Sequence, residues 1–186
     1  MSTLTVKNLQ GVSPTNMIMV GSGHKMYVPG HVIQVKQTVK TDTWSLSSTT
    51  PTDITGLSVS ITPSSTSSKI LILVDLKWSG YGHADAYLLR DSTKIYYGDL
   101  YGNQTQAALH QYFINGTGGE GYYSYGYGNI SYLDSPTTTS TLTYKLQAAT
   151  PYSGSYGISV NYIYENANYS YNARAASSIT VMEIAQ

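Results

Sequence analysis

Apolar residues in this chain recur at every second position, and nowhere at helical spacing over three turns, which restricts the chain to folds built from strands. Leu57, Val59 and Ile61 alternate with Ser58, Ser60 and Thr62, placing three apolar side chains on one face of a half-buried strand. Val32–Val39 reads as an earlier strand, and Ile70–Leu76, apolar on both faces, reads as a central one. Ala86–Arg90 and Lys94–Tyr97, joined by Asp91-Ser92-Thr93, read as a hairpin. Ile130–Leu133, Thr141–Leu146, Ile158–Tyr162 and Ser178–Ile184 complete the series, while Ala107–Ile114 suits either a short helix or another strand. Short strands separated by turns every 8–12 residues predict an all-β chain, an antiparallel β-sandwich of jelly-roll type.

The 186 residues are about one domain's worth, enough to bury a core without a disulfide or metal, and cysteine is absent. Residues 1–28 read differently, as extended pieces broken by Gly11, Gly21, Gly23 and Pro29-Gly30. So short a segment supports no core alone. The expected division is therefore an anchor or stalk over 1–28 and a head over 29–186, the alternative being a first strand pair of the same domain. Charged residues are 11% of the chain, against about 25% in ordinary domains. The two arginines, Arg90 and Arg174, form no cluster, which argues against a nucleic-acid partner. The start lacks a basic-then-apolar leader, and the five-residue run Ile70–Val74 is far below the ~20 residues of a membrane span. No membrane insertion is expected, and the chain is expected to be soluble where it is made.

Pro29–Val35, Thr55–Pro63, Ser67–Leu71, Leu88-Leu89-Arg90, Leu133–Pro136 with Thr143-Tyr144, and Ile179–Ile184 together resemble the terminal domain of phage tail-fibre and virion appendage proteins, common in marine phages. The resemblance runs over roughly residues 29–186 in order, and residues 1–28 are similar in kind to fibre attachment segments. It implies a homotrimer with no enzymatic activity and no cofactor. The head would recognise a host cell-surface glycan or protein, and the N-terminal segment would join other virion proteins. Such a protein assembles in the host cytoplasm and is exposed on the particle surface. A capsid head fibre or decoration protein and a free carbohydrate-binding module are the alternatives. The segment Tyr96–Asn129 departs most from the family's run, so no receptor is carried over.

Tyrosine supplies the candidate site. The chain has 19 Tyr and one Phe, and all the tyrosines but Tyr27 fall between Tyr81 and Tyr171. A buried phenol needs a hydrogen-bond partner, so many of these rings belong at surfaces or interfaces. Tyr122, Tyr123, Tyr125 and Tyr127, in the Gly-rich stretch Gly116–Gly128, with Trp78 and Tyr81, form the candidate receptor-binding set, since rigid rings among Gly, Ser and Asn suit adaptable contact. The competing use of the same rings is an inter-subunit seam. The G-x-G-x-x-G at Gly116–Gly121 is followed by Tyr-rich sequence instead of a helix, which removes the nucleotide-binding reading. His24, His31, His83 and His110 show no H-x-H or H-E-x-x-H spacing. His83 and Asp85 share a strand face, where they could hold a metal only with a symmetry mate, so no metal site is expected. The acids are scattered and no G-x-S-x-G is present, so nothing points to a hydrolase.

Overall fold

A computed structural model of the chain describes residues 28–113, 125–152, 157–164, 166, 168–170 and 172–186. The expected 1–28 segment thus lies, but for Val28, outside the described residues. Ten strands run β1 Val32–Lys40, β2 Trp44–Leu46, β3 Thr52–Ile61, β4 Lys69–Arg90, β5 Thr93–Ile95, β6 Leu109–Phe113, β7 Gly126–Asp134, β8 Leu142–Ala149, β9 Gly157–Val160 and β10 Ser177–Ile184. No helix occurs among the described residues, and every pairing is antiparallel. The fold is all-β, of the sandwich or jelly-roll type, with a sheet that closes almost into a barrel.

The organising element is β4, 22 residues long. Its even-numbered residues Ile70, Ile72, Val74, Leu76, Trp78, Ala84, Ala86 and Leu88 all enter one core, and the odd-numbered ones lie on the opposite face, where Tyr87 and Leu89 join a second, smaller buried cluster with Ala149. The segments 70–76 and 86–90, which read as separate strands, are the two halves of this one strand. Its first half lies between β10 and β7, its middle pairs with β9, and its last part pairs with β8, β6 and β5. A straight strand of that length would span about 70 Å. Instead Arg90 donates to both carboxylate oxygens of Asp134, at 2.8 and 2.9 Å, and Asp134 is the cross-strand partner of Ile70. The two ends of β4 therefore meet, and the strand folds over in between.

Glycine makes that corner possible. Gly82 has φ of 80°, a left-handed value. A Cβ on Gly80 would stand 2.6 Å from the Gly157 carbonyl oxygen and 2.9 Å from the Phe113 ring. Across the corner, β3 and β8 bring Ile54, Leu57, Val59, Ile61, Leu142, Tyr144 and Leu146 against Ile158, Val160, Ile179 and Val181 of the other layer.

Buried polar groups tie the layers together. Tyr144 donates to Asp134 at 2.7 Å, so pieces of the resemblance far apart in sequence (Leu88–Arg90, Leu133–Pro136, Thr143-Tyr144) converge on one Arg90–Asp134–Tyr144 network. Burial and that bond to the carboxylate push the Tyr144 phenol well above its ordinary range. Glu183 of β10 accepts from the Ser64 amide and hydroxyl and from Gln34 of β1. Burial works against its charge, but the bonds from Ser64 and Gln34 prevail and hold its carboxyl below the usual range. Gln34 also donates to the Thr62 carbonyl, drawing the β1 edge toward β3 and nearly closing the barrel.

Asn161 is the deepest such tie. Fully buried and left-handed at φ 67°, it donates from its side-chain amide to the carbonyls of Lys40 and Asp42, at 2.8 and 2.9 Å. Its side-chain oxygen accepts from Ser177, whose oxygen in turn accepts from the Lys77 amide. The ends of β1 and β9 and the start of β10 are thereby pinned to β4. Replacing Asn161→Ala strands several buried groups at once, and we expect a loss of about 2–4 kcal/mol, read as a lowered midpoint in denaturant titration at unchanged slope. A loss within a few tenths of a kcal/mol would show that water satisfies those groups.

Candidate functional site

The corner of β4 sits at the end of the fold opposite Val32, the first residue of β1. Val32 pairs with Ile184, Ile184 with Lys69, and Ile70 with Asp134, so these strand ends share one pole with Arg90. At the other pole Phe113, the last residue of β6, pairs with Gly82, and Gly126, the first of β7, pairs with Trp78. The end of β6 and the start of β7 therefore both lie at the corner.

Of the tyrosine-centred candidate set, Tyr122 and Tyr123 lie outside the described residues. Tyr125 donates its hydroxyl to the Ala173 carbonyl at 2.7 Å, and burial raises its phenol pKa. Tyr127 is 68% exposed on β7, with the Lys77 ammonium 5.2 Å from its ring centre. Gly126 to Gly128 thus belong to a strand, although composition reads them as loop. Tyr81 stacks on Tyr164, centroids 6.5 Å apart. Trp78 requires a correction. Expected among surface loops, it is 1% exposed, packed edge-on against Phe113 at 5.7 Å in the core, and offers no surface to a receptor. Its even register on β4 is the reason.

The odd register carries a second set that sequence spacing alone did not assemble. Tyr81, His83, Asp85 and Tyr87 project from the outer side of β4, and β6 places Tyr112 opposite His83 and His110 opposite Asp85. Asp85 is buried and accepts from His110 Nδ1 at 2.7 Å, and His110 Nε2 lies 3.2 Å from His83 Nδ1. The His83 ring leans on Tyr112, centroids 4.6 Å apart, with Tyr152 at 6.1 Å. With His83, Asp85, His110 and Tyr152, the residues Asn103, Gln104, Thr105 and Pro151 line an open hollow of about 670 Å³, and Tyr112 stands beside it against His83. Tyr112 and Tyr152, 48% and 57% exposed, offer flat apolar faces beside carboxamides, hydroxyls and imidazoles. That is the equipment for gripping a polyhydroxylated ligand through stacking and hydrogen bonds. Asp85 holds His110 by one oxygen and has Tyr87 at 3.5 Å from the other, so its role is to orient. Pairing of β4 with β6 is non-local, which is why spacing revealed His83 and Asp85 together but not His110.

No known protein-family model matches the chain, and no curated protein matches it. Among solved structures, a chain from a structure of infectious bursal disease virus, Gx strain, is similar at 15% identity with a TM-score of 0.38. The match covers 91% of this chain and 43% of the viral one, so this chain spans less than half the length of its neighbour.

Tyr87 floors the same face, with the Lys94 ammonium 3.8 Å from its ring centre. Burial, reinforced by the charge of Asp85 and a hydrogen bond to it, pushes its phenol up to about 12. The folded state therefore favours the neutral phenol, whereas the unfolded chain ionises near the ordinary 10. This contribution to stability is complete below about pH 10 and disappears as pH rises toward 12. A Tyr87→Phe variant should lose less stability than the parent between those values in alkaline denaturation; identical curves would refute the assignment.

Proposed function

We propose that this chain is a non-enzymatic head of a bacteriophage virion appendage, a homotrimer that binds a glycan on the host surface. The observation that carries this reading is the open hollow around Asp85 and His110, lined by Tyr152 with Tyr112 beside it, at the pole away from Val32. A fibre joined to its particle through the N-terminal side presents that pole outward. The segments that resemble appendage terminal domains supply β3, the two ends of β4, the Asp134–Tyr144 network and β10, which are the frame of the fold. Stacking a sugar on an exposed ring gives weak affinity per site, and three copies on one trimer convert it into avidity.

The trimer has its own support. Val35, Met182, Leu71 and Leu133 lie side by side in register across β1, β10, β4 and β7, facing outward. The outer two are 52% and 46% exposed. An apolar row this exposed, with Leu73 and Val39 on the same face, suits contact with further copies. The same row also favours the alternative of a capsid decoration protein, in which it would lie against the particle lattice.

Two measurements separate these readings. Tyr112→Ala with Tyr152→Ala should abolish binding to host-cell polysaccharide and adsorption to host cells, with thermal unfolding nearly unchanged. Full adsorption by the double variant would overturn the cleft as receptor site. In sedimentation, the parent should run as a trimer and Leu133→Lys with Val35→Lys as a folded monomer. A parent that is monomeric at micromolar concentration would refute the trimer and leave the row to a particle surface.

A further inference from the structure

The two imidazoles of the cleft face each other through their ring nitrogens in a way that saccharide binding does not require. Asp85 Oδ1 accepts from His110 Nδ1 at 2.7 Å, which fixes the proton of the neutral ring on Nδ1 and leaves Nε2 with a lone pair. That lone pair points at His83 Nδ1, 3.2 Å away. A buried carboxylate that orients a histidine through its far nitrogen is the arrangement that supports metal-ligating histidines. The spacing fits as well. At Zn–N bonds of ~2.0–2.1 Å, two nitrogens on one ion stand about 3.3 Å apart at a tetrahedral angle and about 2.9 Å apart at a right angle.

We infer that His83 Nδ1 and His110 Nε2 form a two-point site for a divalent transition-metal ion of the zinc or nickel type. When the ion binds, His83 moves its proton from Nδ1 to Nε2, so both rings ligate as neutral imidazoles and no net proton is released. Imidazole selects such ions over calcium or magnesium, which prefer oxygen. No group of three or more ligating side chains gathers among the described residues, so the remaining positions on the ion belong to water or to ligand oxygens. Both histidines stand on paired strands, and the His83 ring is braced by Tyr112. Asp85 is a positioning residue, since it reaches the ion only through His110.

The test is calorimetric titration of the full chain, stripped with chelator, with zinc chloride and then nickel chloride. Saturable binding of one ion per chain is expected. It should be lost in His110→Ala and in His83→Phe, which keeps a ring against Tyr112 while deleting the nitrogen. Asp85→Asn should retain both ligands and bind about 10–100-fold more weakly. His31→Ala, remote from the cleft, should bind as the parent does. Thermal unfolding of each variant without metal establishes that it is folded. Absence of binding by the parent would overturn the site, as would undiminished binding when His83 and His110 are both replaced. The outcome is independent of the glycan reading, because Tyr152→Ala removes a ring that lines the hollow but keeps both nitrogens and the Tyr112 brace, and should still take up the ion.

Discussion

Everything in this head depends on one strand keeping its alternation through a reversal of direction. In β4 the inward positions run from Ile70 to Leu88 without a change of parity, even where the chain turns over at Gly80 and Gly82. A one-residue slip would turn Trp78 and Leu76 out of the core and bring Asp75 into it in the first half, and would exchange Ala86 and Leu88 for Asp85 and Tyr87 in the second. Register is therefore specified twice, once in each layer, by one continuous run. The corner couples the two specifications, because little besides a residue without a side chain fits between the Gly157 carbonyl and the Phe113 ring.

With few charges available, the layers are held at their margins by neutral and half-neutral polar ties. Ser60 meets Thr143 at 2.9 Å and Thr62 meets Thr141 at 2.8 Å, a hydroxyl ladder between β3 and β8 that carries no charge for salt to screen. The buried charges, Glu183 and Asp134, are each surrounded by donors, as a low-dielectric interior demands. Lys40, buried with its ammonium 2.9 Å from Asp42, obeys the same rule at the end of β1.

Much of this was legible in the sequence, and the unread parts have physical causes. Alternation at Leu57, Val59 and Ile61, the apolar run Ile70–Val74 and the C-terminal strand all correspond to observed elements. Trp78-Ser79-Gly80-Tyr81-Gly82 resembles a loop because Gly, Ser and Tyr are the palette of turns and surfaces. Here the glycines serve close packing, and the flanking residues keep strand parity. The three-residue β2 is too short to leave a periodic signal, and β6 was ambiguous because its eight candidate residues fit either period. The cleft was beyond reach for a different reason: His110 joins Asp85 only through strand pairing between segments 25 residues apart. Charge and spacing hold no record of such a register.

The way β1 joins the head has a mechanical meaning. From Val32 to Lys40 it lies antiparallel to β10, and residues 28–31 lead into it through a turn, the His31 amide donating to the Val28 carbonyl, with Gly30 and His31 both bonded to Ala185. A pull transmitted through residue 28 against a tip held at the β4 corner loads the β1–β10 ladder in shear, so its hydrogen bonds share the force instead of opening one after another. The load then passes sideways from β10 into the first half of β4, which runs from the pole of Val32 to the corner. A ladder loaded in this way gives way at the rate of its rupture as a whole, where one peeled from an end opens bond by bond.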